Sequence, residues 1–266
     1  MSNHLKRSLE ERTDPTGTWL SIGHPAVAEV CASLDLEFVL IDTEHTSMHL
    51  ETVENMVRAV DATDGRTETV VRVPWNDPVR LKRVLDLGVQ GVMVPMIETA
   101  EEARTLVDAT RYPPQGSRGI AGGRAANYGL NFEDYVKSAN GSVLTVVQIE
   151  TERGLENVGD IASVDGVDAL FVGPADLSGS LGVFAEWESE RLASAIDRVV
   201  SAGQTTDTPV GTLVIDPADV EMRVGQGFDY LIVGKDTASL ASATRDAKAT
   251  YDAALTESVD RPVENE

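Results

Sequence analysis

Eight short runs of β-branched and aliphatic residues recur along the 266-residue chain, each followed by a segment with helical spacing and a stop signal. The runs are Thr18–Gly23, Phe38–Asp42, Thr69–Val73, Gly91–Pro95, Val143–Glu150, Ala169–Gly173, Val210–Ile215 and Tyr230–Gly234. Near-continuous apolar blocks of this kind are strands buried on both faces, and strands separated by helices pair in parallel. Eight of them permit closure into a (β/α)8 TIM barrel, a fold of roughly 250 residues. An open doubly wound sheet is the alternative, but no run leads into Gly-x-Gly-x-x-Gly at a helix start, which argues against a dinucleotide fold. The expected architecture is α/β: one barrel domain over 17–256, an N-terminal extension over 1–16 and a polar, fraying tail over 257–266.

The intervening segments carry helix punctuation. Asp77 ahead of Pro78 reads as an N-cap before a first-turn proline, Gly88 closes the following helix, and Thr99 with Glu102 forms a capping box. These are structural signals. The stretch from Tyr112 to Asn140 is too long for an ordinary connection, so it is expected to be a lid or a functional insert, and its Gly and Arg content favours an anion-binding loop.

Charge restricts the partners. With 44 acidic and 22 basic residues the net charge is −22, which repels phosphate backbones and anionic lipid; nucleic acid and membrane surfaces are not expected. No run approaches the ~20 apolar residues of a membrane span. The N-terminus has no apolar segment behind its positive charges, so a cytoplasmic location is expected. Cys31 is alone and can form neither an internal disulfide nor a thiolate cluster. The acids are dispersed among periodic apolar residues, as in a folded protein with a strongly hydrated shell. Only five of the cations are lysine, and excess acid with scarce Lys is similar to the composition of proteins from salt-loving archaea. Molar salt shortens the Debye length to roughly 3 Å and screens this self-repulsion. The thermal midpoint should therefore climb as KCl is raised from dilute buffer into the molar range; a maximum in dilute buffer would contradict this.

In a barrel, chemistry gathers at the C-terminal ends of the strands. Polar residues stand there on six of them: His24, the Asp42, Glu44 and His45 group, Arg72, Gln148 with Glu150, Asp176, and Lys235 with Asp236. Gln148 and Glu150 are two apart, so they share a face, and the next strand brings Asp176 beside them. Two carboxylates with the remaining positions open suit a hard divalent ion of the Mg²⁺ or Mn²⁺ type. The alternative is that Glu150 caps a helix or pairs with an arginine. Arg72, on an apolar strand, needs either an anionic partner such as Asp42 or Glu44, or substrate. His45 has the intrinsic pKa for acid–base work, with Asp42 or Glu44 to orient it. In the long stretch, Arg124 is either a grip for a distal substrate carboxylate or a surface arginine.

Taken in order, IDTEH, VRVPWNDP, GVMVPM, YPPQGSRG, VVQIET and GVDALFVGPADLSGSLG resemble the HpcH/HpaI family of metal-dependent pyruvate aldolases. The resemblance spans roughly Gly17 to Asp236. It implies that Glu150 and Asp176 ligate Mg²⁺, Mn²⁺ or Co²⁺, that Arg72 contacts the pyruvyl oxygen and that His45, oriented by Asp42, assists proton transfer. It further implies that Gln148, Gly173, Pro174 and Ala175 help bind the donor, with Arg124 serving the acceptor. The substrates would be a 2-oxo acid and an aldehyde, and the protein a homo-oligomer, a hexamer by resemblance. Lys235 departs from the family, which usually carries an apolar residue there; a Schiff-base lysine is the minor alternative to metal chemistry. A lyase of the citrate-lyase β-subunit or malyl-CoA type is the competing enzyme reading, and an inert oxo-acid-binding barrel the non-enzymatic one.

Overall fold

The computed structural model describes residues 3–63 and 65–259. After α1 (His4–Glu10) the chain runs β1 (Thr16–Leu20), α2 (Pro25–Ala32), β2 (Phe38–Asp42), α3 (Leu50–Asp61), β3 (Glu68–Arg72), α4 (Pro78–Leu85), β4 (Gly91–Val94) and α5 (Ala100–Thr110). It continues with α6 (Phe132–Ser142), β5 (Leu144–Ile149), α7 (Glu152–Glu156), α8 (Val158–Ala162), β6 (Ala169–Val172), α9 (Pro174–Ser180), α10 (Glu190–Thr206), β7 (Val210–Val214), α11 (Val220–Gly225), β8 (Tyr230–Lys235) and α12 (Asp236–Val259). The strands pair in sequence order, all parallel, and β8 closes on β1. All eight expected strands are present, and the eightfold barrel forms one domain. No described helix is long and apolar enough to cross a membrane.

Alternation divides the apolar residues into two sets. One side of the strands packs outward against the helices, through residues such as Val39, Ile41, Val71 and Val147. The other fills the barrel with Trp19, Phe38, Leu40, Met93, Phe171 and Tyr230. Large rings fit because small residues face them: a Cβ on Gly17 would lie 2.6 Å from the Phe38 ring, and one on Gly211 2.3 Å from that of Tyr230. This is why β1 begins at Thr16, two residues ahead of the expected start. Gly17, which weakens a strand on propensity alone, is required there by packing.

Helix α1 seals the N-terminal end of the barrel, so the segment expected as an extension is built into the floor. Leu5 and Leu9 are buried in the interior cluster. The Glu68 carboxylate, at the start of β3, accepts the His4 and Leu5 amides, and Asn3 Nδ2 donates to the Gln90 and Ser142 carbonyls below β4 and β5. The expected caps form: Asp77 accepts the Val79 and Arg80 amides, and Thr99 with Glu102 makes the capping box. Residues 260–266 of the polar tail lie outside the described residues.

The 112–140 stretch folds against this same floor and does not cover the mouth, contrary to expectation. Arg118 is buried, stacked 4.5 Å over the Tyr112 ring and paired with Asp86 at 2.9 Å. Arg124 donates to the Leu87 carbonyl at 2.7 Å and pairs with Asp61 at 2.6 Å. With Asn3, Glu68 and Gln90 it borders a cavity of about 570 Å³ beneath the strand starts. The two arginines that suggested an anion loop are thus held by the chain's own carboxylates. The stretch carries the chain from α5 back to β5, and a helix-to-strand connection in a β/α barrel runs at the strand-start end, so the element order already pointed to the floor.

Candidate active site

The strand ends opposite α1 form the mouth. Asp42, at the end of β2, is fully buried and takes two hydrogen bonds from Arg72, from Nε at 2.9 Å and from Nη2 at 2.8 Å. Trp19 Nε1 donates to the same carboxylate at 3.4 Å, and the Arg72 guanidinium lies 4.5 Å over the Trp19 ring. Burial pushes the Asp42 carboxyl up, but the Arg72 guanidinium and the Glu44 and His45 amides more than offset it, so its pKa falls below the ordinary value. Arg72 Nη1 is also 2.7 Å from Glu44 Oε2, a second ion pair on the same guanidinium. Burial raises the Glu44 pKa despite Arg72.

This arrangement assigns the acids differently from the sequence. Asp42, expected to orient His45, reaches it only through the backbone amide, at 3.5 Å. The ring Nε2 of His45 is 3.8 Å from Glu44 Oε2, and its side chain is two-thirds exposed. Asp42 instead fixes Arg72, and Glu44 is the carboxylate beside the histidine. Trp19, which the sequence reading passed over, belongs to the same cluster. The signal for it was available: an indole within the first apolar run carries an N–H that needs an acceptor when buried.

Across the mouth, Glu150 follows β5 and is 3% exposed. Its Oε1 accepts the Met96 amide at 2.8 Å, aimed there by a left-handed turn with Met96 at φ +56°, and its Oε2 accepts Gln148 Nε2 at 2.9 Å. Gly173, ending β6, leaves the space for this carboxylate, since a Cβ there would stand 2.7 Å from Glu150 Oε2. Asp176 lies exposed in the first turn of α9. The Ala175 and Asp176 amides precede the helix's first internal bond, from the Leu177 amide to the Gly173 carbonyl.

Burial pushes Glu150 up to about 7; the Met96 amide opposes this and the Asp176 and Glu44 charges add to it. The folded state therefore holds this proton more tightly than the unfolded one. The metal-free protein should lose stability as pH rises from about 4.5 to about 7, then level off, an effect on the order of 3 kcal/mol. Urea midpoints measured in EDTA from pH 5 to 8 check this, with Glu150→Gln as reference. Equal slopes in the two proteins would contradict it.

The donor set fits a hard divalent ion. Glu150 and Asp176 supply carboxylate oxygens, and the buried Gln148 Oε1 beside them has no hydrogen-bond partner. Among the described residues, no three His, Cys, Asp or Glu side chains form a closed metal cage. An ion held by two carboxylates leaves positions open for a chelating ligand, as a catalytic site requires. Of the sequence-derived candidates, Asp42, His45, Arg72, Gln148, Glu150, Gly173, Pro174, Ala175 and Asp176 belong to strand ends at this mouth; Arg124 lies at the opposite end.

Comparison with known proteins gives a consistent pattern. A family model described as HpcH/HpaI aldolase/citrate lyase matches residues 15–243. A 4-hydroxy-2-oxovalerate aldolase of Novosphingobium aromaticivorans is 40% identical over 248 residues, 92% of this chain and 92% of the relative. A 4-hydroxy-2-oxo-heptane-1,7-dioate aldolase of Shigella sonnei is 35% identical over 257 residues, 96% of this chain and 97% of the relative. A crystal structure of an HpcH/HpaI aldolase/citrate lyase family protein from Burkholderia cenocepacia superposes with a TM-score of 0.92 at 38% identity, covering 94% of this chain and all of that one.

Proposed function

The chain belongs to the HpcH/HpaI aldolase/citrate lyase family, and from that premise and the geometry of the mouth we infer that it is a metal-dependent aldolase, reversibly cleaving a 4-hydroxy-2-oxo acid to pyruvate and an aldehyde. The observation that carries this reading is the buried Glu150 carboxylate, which accepts Gln148 Nε2 beside an unpartnered Gln148 Oε1, with Asp176 and Arg72 near enough to act on its charge. The two relatives above are named for substrates with a common 4-hydroxy-2-oxo acid head and different remainders.

In this reading Glu150 and Asp176 hold Mg²⁺, Mn²⁺ or Co²⁺, with Gln148 placing the donor. The bound ion supplies Lewis-acid stabilisation of the charge that develops on the 2-oxo acid. The remaining work falls to the chain's own groups. Asp42 takes up two of the five guanidinium N–H donors of Arg72 and Glu44 lies 2.7 Å from Nη1; the N–H groups that these two acids leave over point the positive charge at the 2-oxo oxygen. The Ala175 and Asp176 amides receive the substrate carboxylate, which approaches closely along Gly173 and Pro174 because Gly173 has no side chain. His45, or a water it orients, takes the proton of the 4-hydroxyl. The C3–C4 bond breaks, its electron pair passes to the pyruvyl fragment, and the aldehyde leaves. A proton delivered to C3 then completes pyruvate.

A homo-oligomer is part of the proposal. Every described side chain of α12 from Ser239 to Thr256 is exposed, including Leu240 and Tyr251. A helix this long with no buried face within its own chain is suited to a subunit contact. Light scattering on the purified protein tests it.

The activity is tested by coupling pyruvate release to lactate dehydrogenase with a panel of 4-hydroxy-2-oxo acids, with and without EDTA, in molar salt. Metal-dependent pyruvate formation is expected. Absence of pyruvate from every substrate, with metal demonstrably bound, would favour an oxo-acid-binding barrel.

A further inference from the structure

One cation at the mouth has no role in the reaction as written. Lys235 ends β8, and strict alternation after Tyr230 and Ile232, which point inward, would turn it toward the outer helices. A bulge reverses this. Gly17 pairs with Ile232, but Trp19 pairs with Lys235, so β8 contains one extra residue. That residue is Gly234, whose φ of +86° is open to glycine without strain, and whose Cβ, were one present, would face Ser239 of α12 at 3.3 Å. Paired residues on parallel strands share a face. Lys235 therefore shares its face with Trp19, which lies under the Arg72 guanidinium. The bulge is pinned on both sides: Thr18 Oγ1 donates to the Gly234 carbonyl, and the Asp236 carboxylate accepts the Ser21 and Ile22 amides.

The Lys235 side chain is half-buried and makes no ion pair or hydrogen bond among the described residues. Lys6, Lys137 and Lys248 each sit beside a carboxylate, and Lys82, the other lysine without one, is on α4 beside Gly119, away from the mouth. In a chain with twice as many acidic as basic residues, an ammonium left without a carboxylate at the mouth is conspicuous. A partly desolvated ammonium gains from an anion brought to it. The strand order sets the direction: Lys235 stands between β7 and β1, whereas Glu150 and Asp176 follow β5 and β6. Around the closed barrel β8 is two strands from β6 and three from β5, so Lys235 is set apart from the two carboxylates that hold the donor end.

We propose that Lys235 is a specificity-determining residue that binds an anionic group at the far end of the aldehyde fragment. The proposal rests on the aldolase reading above and adds the substrate class: a 4-hydroxy-2-oxo acid whose remainder ends in a carboxylate or phosphate. The contact is non-covalent, with the ammonium as a point-charge donor and no part in bond breaking.

The test is made in the synthetic direction with pyruvate and matched pairs of aldehydes, 4-oxobutanoate against butanal and glyceraldehyde 3-phosphate against glyceraldehyde. The readout is the ratio of kcat/KM for the charged to the uncharged member in the wild type, Lys235→Met and Lys235→Arg. Lys235→Met is expected to lower the ratio about tenfold or more in at least one pair, Lys235→Arg to retain most of it, and the affected pair to identify the anion. A ratio unchanged in both pairs overturns the proposal, as does a borohydride-trapped adduct on Lys235, which would make it a Schiff-base residue. Failure of the wild type to turn over any of the four aldehydes overturns the aldolase reading, and this proposal with it.

Discussion

Glu150→Gln is expected to reduce metal-dependent turnover by about 10³-fold or more while the barrel stays folded, because the substitution removes a charge and almost no volume. The glutamine oxygen can still accept the Met96 amide that Glu150 Oε1 accepts now, so the loop after β4 keeps its anchor. What is lost is one of the two anionic oxygens for the ion. Asp176→Asn should behave in the same way with even less structural effect, since Asp176 is exposed in the first turn of α9. Turnover in the pyruvate-coupled assay and Mn²⁺ binding by equilibrium dialysis should fall together, while circular dichroism holds and the thermal midpoint does not fall. Near-normal activity in both variants would refute the metal assignment.

Removing Arg72 should affect both stability and activity, and the two effects can be separated. Arg72→Met leaves the fully buried Asp42 carboxylate with only the Trp19 indole and backbone amides as donors. Breaking a buried pair in this way costs about 3–5 kcal/mol. Turnover should also fall by about 10²–10³-fold if the guanidinium contacts the developing oxyanion. The double variant Asp42→Asn/Arg72→Met removes the orphaned charge, so it should recover much of the stability and none of the turnover. Recovery of both would make Arg72 purely structural, the alternative its position on an apolar strand left open.

The fold was legible because its signal is redundant: eight buried strands each reported themselves, and an error of two residues at the start of β1 did not alter the count. The mouth was legible wherever position on a strand decides the direction of a side chain, as for Gln148, Glu150 and Arg72. It was less so where several polar residues follow a strand end. Asp42 and Glu44 both lie within three residues of His45 in sequence, and only the packing of Arg72 against Asp42 separates their roles. Arg124 was misplaced although its segment leads from α5 back to β5, a connection that in this fold belongs to the floor. A Gly-rich segment does not fix its partners, and here Asp61 and the Leu87 carbonyl hold it at the floor. At Lys235 parity alone misleads, because one glycine with positive φ changes the facing of everything after it. The need for a glycine at 173 was likewise invisible until the Glu150 carboxylate occupied the space beside it.

The floor helix also bears on the order of assembly. Its anchors are distant in sequence: the Leu5 amide meets Glu68 across 63 residues, and Asn3 reaches the Gln90 and Ser142 carbonyls across 87 and 139. During synthesis α1 is made before every strand of the barrel, but its seat does not exist until the chain has been made at least as far as β5. Closing such long loops is slow relative to local helix formation. A helix made before every strand is thus among the last to dock, and its seating records that the strands beneath it have already found their order.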